Sequence, residues 1–275
     1  LKPFIRISLL LFLLLLAGLK VNAQKQKWYI IPKQELNLYQ LVGDESKKPA
    51  ITVKEFEISN QVTLKEYKDY LNAVKNDSSE TFYRSQLPDT SIGSADVRAK
   101  YMNDKQYESF PVLGVSWENA MNYCKWKTIS TQKDSIKVLY RLPHCSEWLA
   151  AYSYLQASKT KHDFNVNYSD WSINTFDESF YDFMKRQDPQ LFVFDWLHLH
   201  VKKDARVLKR KRVMGNSYLY QQNHRFMDFS PFYANEGYKH IGFRCVIVPI
   251  VPVAENKKGK DLNSTLLEYW GIQKK

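Results

Sequence analysis

Three cysteines, Cys124, Cys145 and Cys245, are the chain's thiols. A thiol can attack, exchange, hold a soft metal or fill a core as a small apolar group. Cys245 stands in HIGFRCVIV, residues 240–248, which reads as a strand with a Gly and an Arg before the Cys. At this level it is equally a working thiol, half of a disulfide or a core residue. An odd cysteine count lets one bridge form and leaves one thiol over. Two histidines, His198 and His200 in WLHLH, alternate and so face one side of a strand. They could ligate a metal with a third partner, and His224 could reach them in space, but no third ligand stands close in sequence. The competing reading is ordinary strand histidines, exposed or hydrogen-bonded. Arg141, Glu147 and Arg244 are charges among apolar neighbours. Such charges persist when they are paired and hydrogen-bonded, so they read as structural charges rather than ligand contacts.

The segment preceding any of this sets the redox context. LKPFIRISLLLFLLLLAGLKVNAQ has basic residues at Lys2 and Arg6, an apolar run from Ile7 to Leu19, and small residues before a cleavage point after Ala23. It is expected to be a secretory signal peptide, too short for a comfortable membrane span. Export would place the cysteines where disulfides persist. No Cys stands at the cleavage point, so direct lipid anchoring is not expected. The remaining 252 residues suit one large domain or two small ones. The formal charge of +11 falls to +8 without the leader. Much of it lies in KRKR, Lys209–Arg212, and in the tail, and it reads as solvated charge. No nucleic-acid motif accompanies it, so nucleic acid is not an expected partner.

Positioning these residues falls to a series of short elements. Residues 24–50 are polar and read as an arm or early loop. ITVKEFEIS alternates and predicts a strand over Ile51–Ile58. NQVTLKEYKDYLNAV follows, with Thr63 and Glu66 as a capping box and Leu64, Tyr67, Leu71 and Val74 on one helical face. Residues 75–110 read as a charged loop. Ser116 can cap a helix that buries Trp117, Ala120, Met121 and Cys124. A strand over Val138–Leu142, a Pro turn and a helix carrying Trp148, Tyr152 and Leu155 come next. Beyond residue 158, LFVFDWLHLHV predicts a strand, RVMGNSYLYQQ a strand broken at Gly215, GFRCVIVPIVPV a late strand, and the tail a short helix. The expected organisation is a signal peptide at 1–23, an arm at 24–50, a domain at 51–250 and a basic tail at 251–275.

Three stretches occur together in one known family. FEISNQVTLKEYKDYL, then FPVLGVSWENAMNYCKW followed by YRLPHCSEW, then the closing GFRCV, resemble the formylglycine-generating (sulfatase-modifying factor) domain in content and order. The resemblance implies an α+β fold related to C-type lectins, irregular, with short strands, a few helices and many loops. The segment YMNDKQYESFPVLGVSWENAMNYCKWKT is most similar to the gliding-motility and type IX secretion proteins of Bacteroidota that carry such a domain. Family enzymes oxidise a substrate cysteine with copper held by two thiolates in a Cys-x4-Cys arrangement. The corresponding positions here are Tyr220 and Arg225, and no Cys occurs from 146 to 244. The expectation is therefore a pseudoenzyme with no catalytic residue, no metal and no cofactor. Its partners would be envelope or outer-membrane proteins of a secretion or motility assembly. It would sit in the periplasm, at the outer-membrane periphery or at the cell surface, with no transmembrane span after cleavage. The alternatives are an enzyme using a different, non-copper site on this scaffold, or a glycan-binding domain. The resemblance also implies a disulfide between Cys124 and Cys245, with Cys145 as the leftover free thiol. A bridge enclosing about 120 residues would contribute roughly 3–5 kcal/mol.

Overall fold

A computed structural model describes residues 27–37, 50–89, 92–131, 137–158, 164, 168–175, 210–215, 217, 227–249 and 270. The leader, His198, His200, His224, Tyr220, Arg225, the strand expected around WLHLH and the tail helix lie outside these residues. Of the tail, Trp270 is described, and it is buried in the main core.

One four-stranded antiparallel sheet runs in the order β1 (Trp28–Ile31), β4 (Phe56–Ser59), β10 (Val246–Pro249), β5 (Val138–Arg141). A second sheet has the order β8 (Met227–Tyr233), β7 (Arg210–Met214), β6 (Ser169–Thr175), β9 (Ile241–Phe243). In it β6 and β9 are parallel and the other pairs antiparallel. A two-stranded antiparallel ribbon joins β2 (Gln34–Asn37) to β3 (Ala50–Val53). The helices are α1 (Leu64–Asp77), α2 (Glu80–Ser85), α3 (Ala95–Asn103), α4 (Trp117–Ser130) and α5 (Cys145–Ala157).

The long helices follow local rules. Thr63 and Glu66 form the reciprocal cap of α1, which buries Leu64, Tyr67, Tyr70, Leu71 and Val74. Ser116 caps α4 by accepting from the Asn119 N–H. The apolar faces of α1 and α4 meet Phe243, Ile241 and Trp171 from the second sheet in the main core. A smaller core packs α5 against Ile31, Phe56, Ile58 and Val246 of the first sheet.

Five expectations are corrected. Residues 24–50 are not simply an arm: β1 pairs with β4, burying Tyr29 and Ile31, and β2 pairs with β3. ITVKEFEIS is two strands, because its apolar alternation changes phase at the exposed Lys54 and Glu55, and the halves join different sheets. Residues 75–110 hold α2, α3 and a 3-10 turn at Lys105–Tyr107. Neither α2 nor α3 buries a residue, so the stretch has no strong apolar period, and the caps Ser79 and Ser94 with a short Ala95–Met102 stripe are what mark it. KRKR is not wholly solvated charge: Arg210 and Arg212 are buried on β7. Finally, the late strand is divided. β9 belongs to one sheet and β10 to the other, and Arg244 and Cys245 make the crossing between them.

Candidate functional site

The crossing residues bring the chain's thiols into view. Cys124 on α4 and Cys245 after β9 are fully buried, and their sulfurs stand 3.8 Å apart as free thiols. The two cysteines expected to pair thus face each other in the core. The backbone N–H of Cys245 donates to Ser59 Oγ, and its carbonyl accepts from the Ser59 N–H, which holds this end in place. Burial pushes the Cys124 thiol well above the usual range, and the neighbouring Cys245 adds to the shift. Cys145 is the first residue of α5, buried, with its sulfur donating to Ser172 Oγ at 3.4 Å. Burial raises its thiol too, while the Arg212 charge and the Ser172 hydrogen bond pull it back. None of the three is an exposed thiolate.

The embedded charges form two buried ion pairs. Arg141, at the end of β5, grips Glu147 in α5 through two nitrogens at 2.7 Å each. Glu147 also accepts from the His144 N–H at 2.8 Å, so one carboxylate closes the turn and caps the helix. Burial pushes the Glu147 carboxyl upward, but the Arg141 charge and its hydrogen bonds outweigh this and hold it below the ordinary value. Arg244 finds a carboxylate the sequence did not single out. Its Nε donates to Asp170 Oδ2 at 2.7 Å, with both side chains fully buried. Asp170 also accepts from Trp148 Nε1 at 2.9 Å and from Gln61 Nε2 at 2.8 Å. The Arg244 guanidinium lies 3.9 Å from the centre of the Phe164 ring. Asp170 thus ties β6, α5, the start of α1 and the sheet crossing together. Its neighbours in sequence, SDWSIN, carry no pattern that marks it.

A polar cleft of about 420 Å³ opens where three loops meet. Their backbones are sewn together: the Asp89 N–H donates to the Gly114 carbonyl at 2.6 Å, and the Gly114 N–H to the Tyr238 carbonyl at 3.1 Å. A Cβ on Gly237 would overlap the Gly114 carbonyl oxygen, so this crossing requires glycine. Carboxamides line one wall. Asn119 Nδ2 donates to the Ser85 carbonyl, while Asn122 Nδ2 and the Tyr70 hydroxyl both donate to Gln86 Oε1. Arg84, Asp89, Ser116, Glu118 and Asn235 add to the polar lining, and Phe82 stands half-exposed at the rim. Nearby, Lys211 Nζ rests 3.7 Å from the centre of the Trp117 ring. Burial lowers the Lys211 ammonium to about 8, against an opposing pull from Glu118. Among the described residues, no group of three or more His, Cys, Asp or Glu side chains could hold a metal.

The sulfatase-modifying factor enzyme 1-like domain matches residues 33–249. The chain belongs to that family. One solved structure, CarF, shares the fold, and two others are similar at lower scores. CarF superposes with a TM-score of 0.51 at 15% identity, covering 82% of this chain and 99% of that one. PvdO from Pseudomonas aeruginosa gives 0.44 at 14% identity, over 81% of this chain and 91% of that one. Treponema denticola variable protein 1 gives 0.43 at 12%, over 80% and 94%. No curated relative matches the chain. The α+β architecture, with few helices and short strands, is that of the family.

The copper expected of an active sulfatase-modifying factor domain does not fit this chain. Cu(I) needs soft sulfur donors. No Cys occurs from 146 to 244, and the positions the resemblance assigns to the thiol pair, Tyr220 and Arg225, carry a phenol and a guanidinium. The three cysteine thiols are buried, and burial disfavours the thiolate of Cys124 and of Cys145.

Proposed function

We propose that this sulfatase-modifying factor domain is an exported, non-catalytic member of its family. It serves as a structural or binding component of a cell-envelope assembly of the gliding-motility or type IX secretion type. The observation that carries this reading is the loss of the thiol pair at Tyr220 and Arg225 in a chain whose remaining cysteines are core residues. The scaffold is meanwhile kept at considerable cost, with two buried ion pairs and a glycine-dependent loop crossing. Retention of fold without the chemistry favours a role in contacts. Among the described residues no helix is long and apolar enough to cross a membrane.

Capture of the tagged full chain from envelope fractions tests this directly, and a stable, stoichiometric set of envelope proteins is the expected result. Stoichiometric Cu(I) binding together with oxidation of a cysteine-containing sulfatase peptide would overturn it. A glycan-binding reading has one specific support, the carboxamide wall with Phe82 at its rim, since such sites pair polar hydrogen-bonding groups with an aromatic face. Glycan-array binding lost on Asn119→Ala would favour it.

A further inference from the structure

The excursion between α1 and α4 carries an apolar groove whose inner edge, Met102, packs against the main core. Ala95, Arg98, Ala99 and Met102 are spaced three and four apart and so share one face of α3. That face and the Leu87–Pro88 segment line a groove of about 380 Å³. The helix is pinned from elsewhere: the Tyr101 hydroxyl donates to the Pro111 carbonyl and accepts from the Leu113 N–H. Arg98 is the single charge in the lining. Among the described residues no carboxylate pairs with it, and its Nη1 is shielded from solvent with no hydrogen-bond acceptor. A shielded, unpaired donor is costly, and it marks a place where an acceptor is missing. Arg98 is only partly buried, so a turn of its outer torsions can present the guanidinium fork to an incoming group.

We propose that this groove takes a carboxylate-bearing apolar segment of a partner protein. A bulky apolar side chain enters between Leu87–Pro88 and α3. Ala95 and Ala99 leave room for the partner's backbone, and the adjacent carboxylate accepts from the Arg98 fork. A peptide fits better than an acyl chain because Leu87 lines both this groove and the polar cleft. Past Leu87 an extended segment meets the carboxamides of Asn119 and Asn122, which suit backbone N–H and C=O groups. The proposal rests on the binding-component reading above and names its surface.

The test pans the purified full chain against a display library of random short peptides. Enriched sequences are expected to carry Asp or Glu beside a bulky apolar residue. Arg98→Glu should switch the selection to Lys or Arg and weaken the parental peptides about tenfold or more. Ala99→Trp, which fills the groove, should abolish enrichment. Both positions lie on the surface, and unchanged circular dichroism and melting are expected to accompany the effect. Enrichment without acidic residues, no enrichment, or the same set selected by Arg98→Glu overturns the proposal. So does laurate binding tighter than every enriched peptide. Envelope capture separates the two readings. Partners recovered equally by the parent and Arg98→Glu sink the groove and leave the assembly role, whereas no partners with the parent sinks the assembly role.

Discussion

Asp170→Asn is the most informative single change in the scaffold. It keeps shape and removes the charge from a carboxylate that faces three donors: Arg244 Nε, Trp148 Nε1 and Gln61 Nε2. Arg244 and Asp170 are both 0% exposed, so no water replaces the lost partner. Removing one member of a buried pair leaves an uncompensated charge, at a cost of about 3–5 kcal/mol. The new amide also turns a donor toward groups that are themselves donors, which keeps the expected loss in the upper part of that range. With a urea slope of about 2 kcal/mol per molar, the unfolding midpoint should fall by about 2 M at an unchanged slope. Tryptophan fluorescence reads it directly, because Trp148 is one of the three partners. The double variant Asp170→Asn/Arg244→Met removes the stranded charge and should be more stable than Asp170→Asn alone. A loss under about 1 kcal/mol, or a double variant no better than the single one, would refute the assignment of Asp170 as the hub.

Glu147→Gln should destabilise most at neutral pH. The Glu147 carboxyl is held low, so its contribution is complete above the unfolded value of about 4.3 and fades as pH falls through the lower folded value. The gap between parent and variant should therefore narrow in acid, and an equal gap at both ends of a denaturation series would contradict the Arg141 pairing. Gly237→Ala should lower the melting temperature, with a loss of about 1–3 kcal/mol as the Gly114 carbonyl is forced aside; an unchanged melt would mean the loops separate freely. Thiol counting on denatured, unreduced protein made in an oxidising compartment should find one free thiol, Cys145, with Cys124 and Cys245 joined, and three would rule out the bridge.

The elements that could be read in advance are those whose stability is local. The Thr63–Glu66 capping box and the apolar face of α1 were legible, as was the Ser116 cap of α4, because helix ends and faces repeat at fixed spacing. α2 and α3 were missed since neither buries a side chain, and the stripe on α3 from Ala95 to Met102 was the signal available within that stretch. The buried arginines of KRKR were missed for the opposite reason. A short strand puts alternate residues on opposite faces, and nothing in four basic letters says which face is covered.

By itself, the sequence determined which chemistry the chain can carry. Cysteine stands at three positions and is absent from 146 to 244, and no folding can place a thiol where none is encoded. It also marked Arg141, Glu147 and Arg244 as charges needing partners, because an ion among apolar neighbours is unstable alone. Only the tertiary structure decided who the partners are. Asp170 lies 74 positions from Arg244, and Cys124 lies 121 from Cys245. Such pairings depend on how two sheets are joined at the Arg244–Cys245 crossing. The groove beside Arg98 is likewise a product of packing: helical spacing puts four side chains on one face, and only the fold sets Leu87 and Pro88 opposite them.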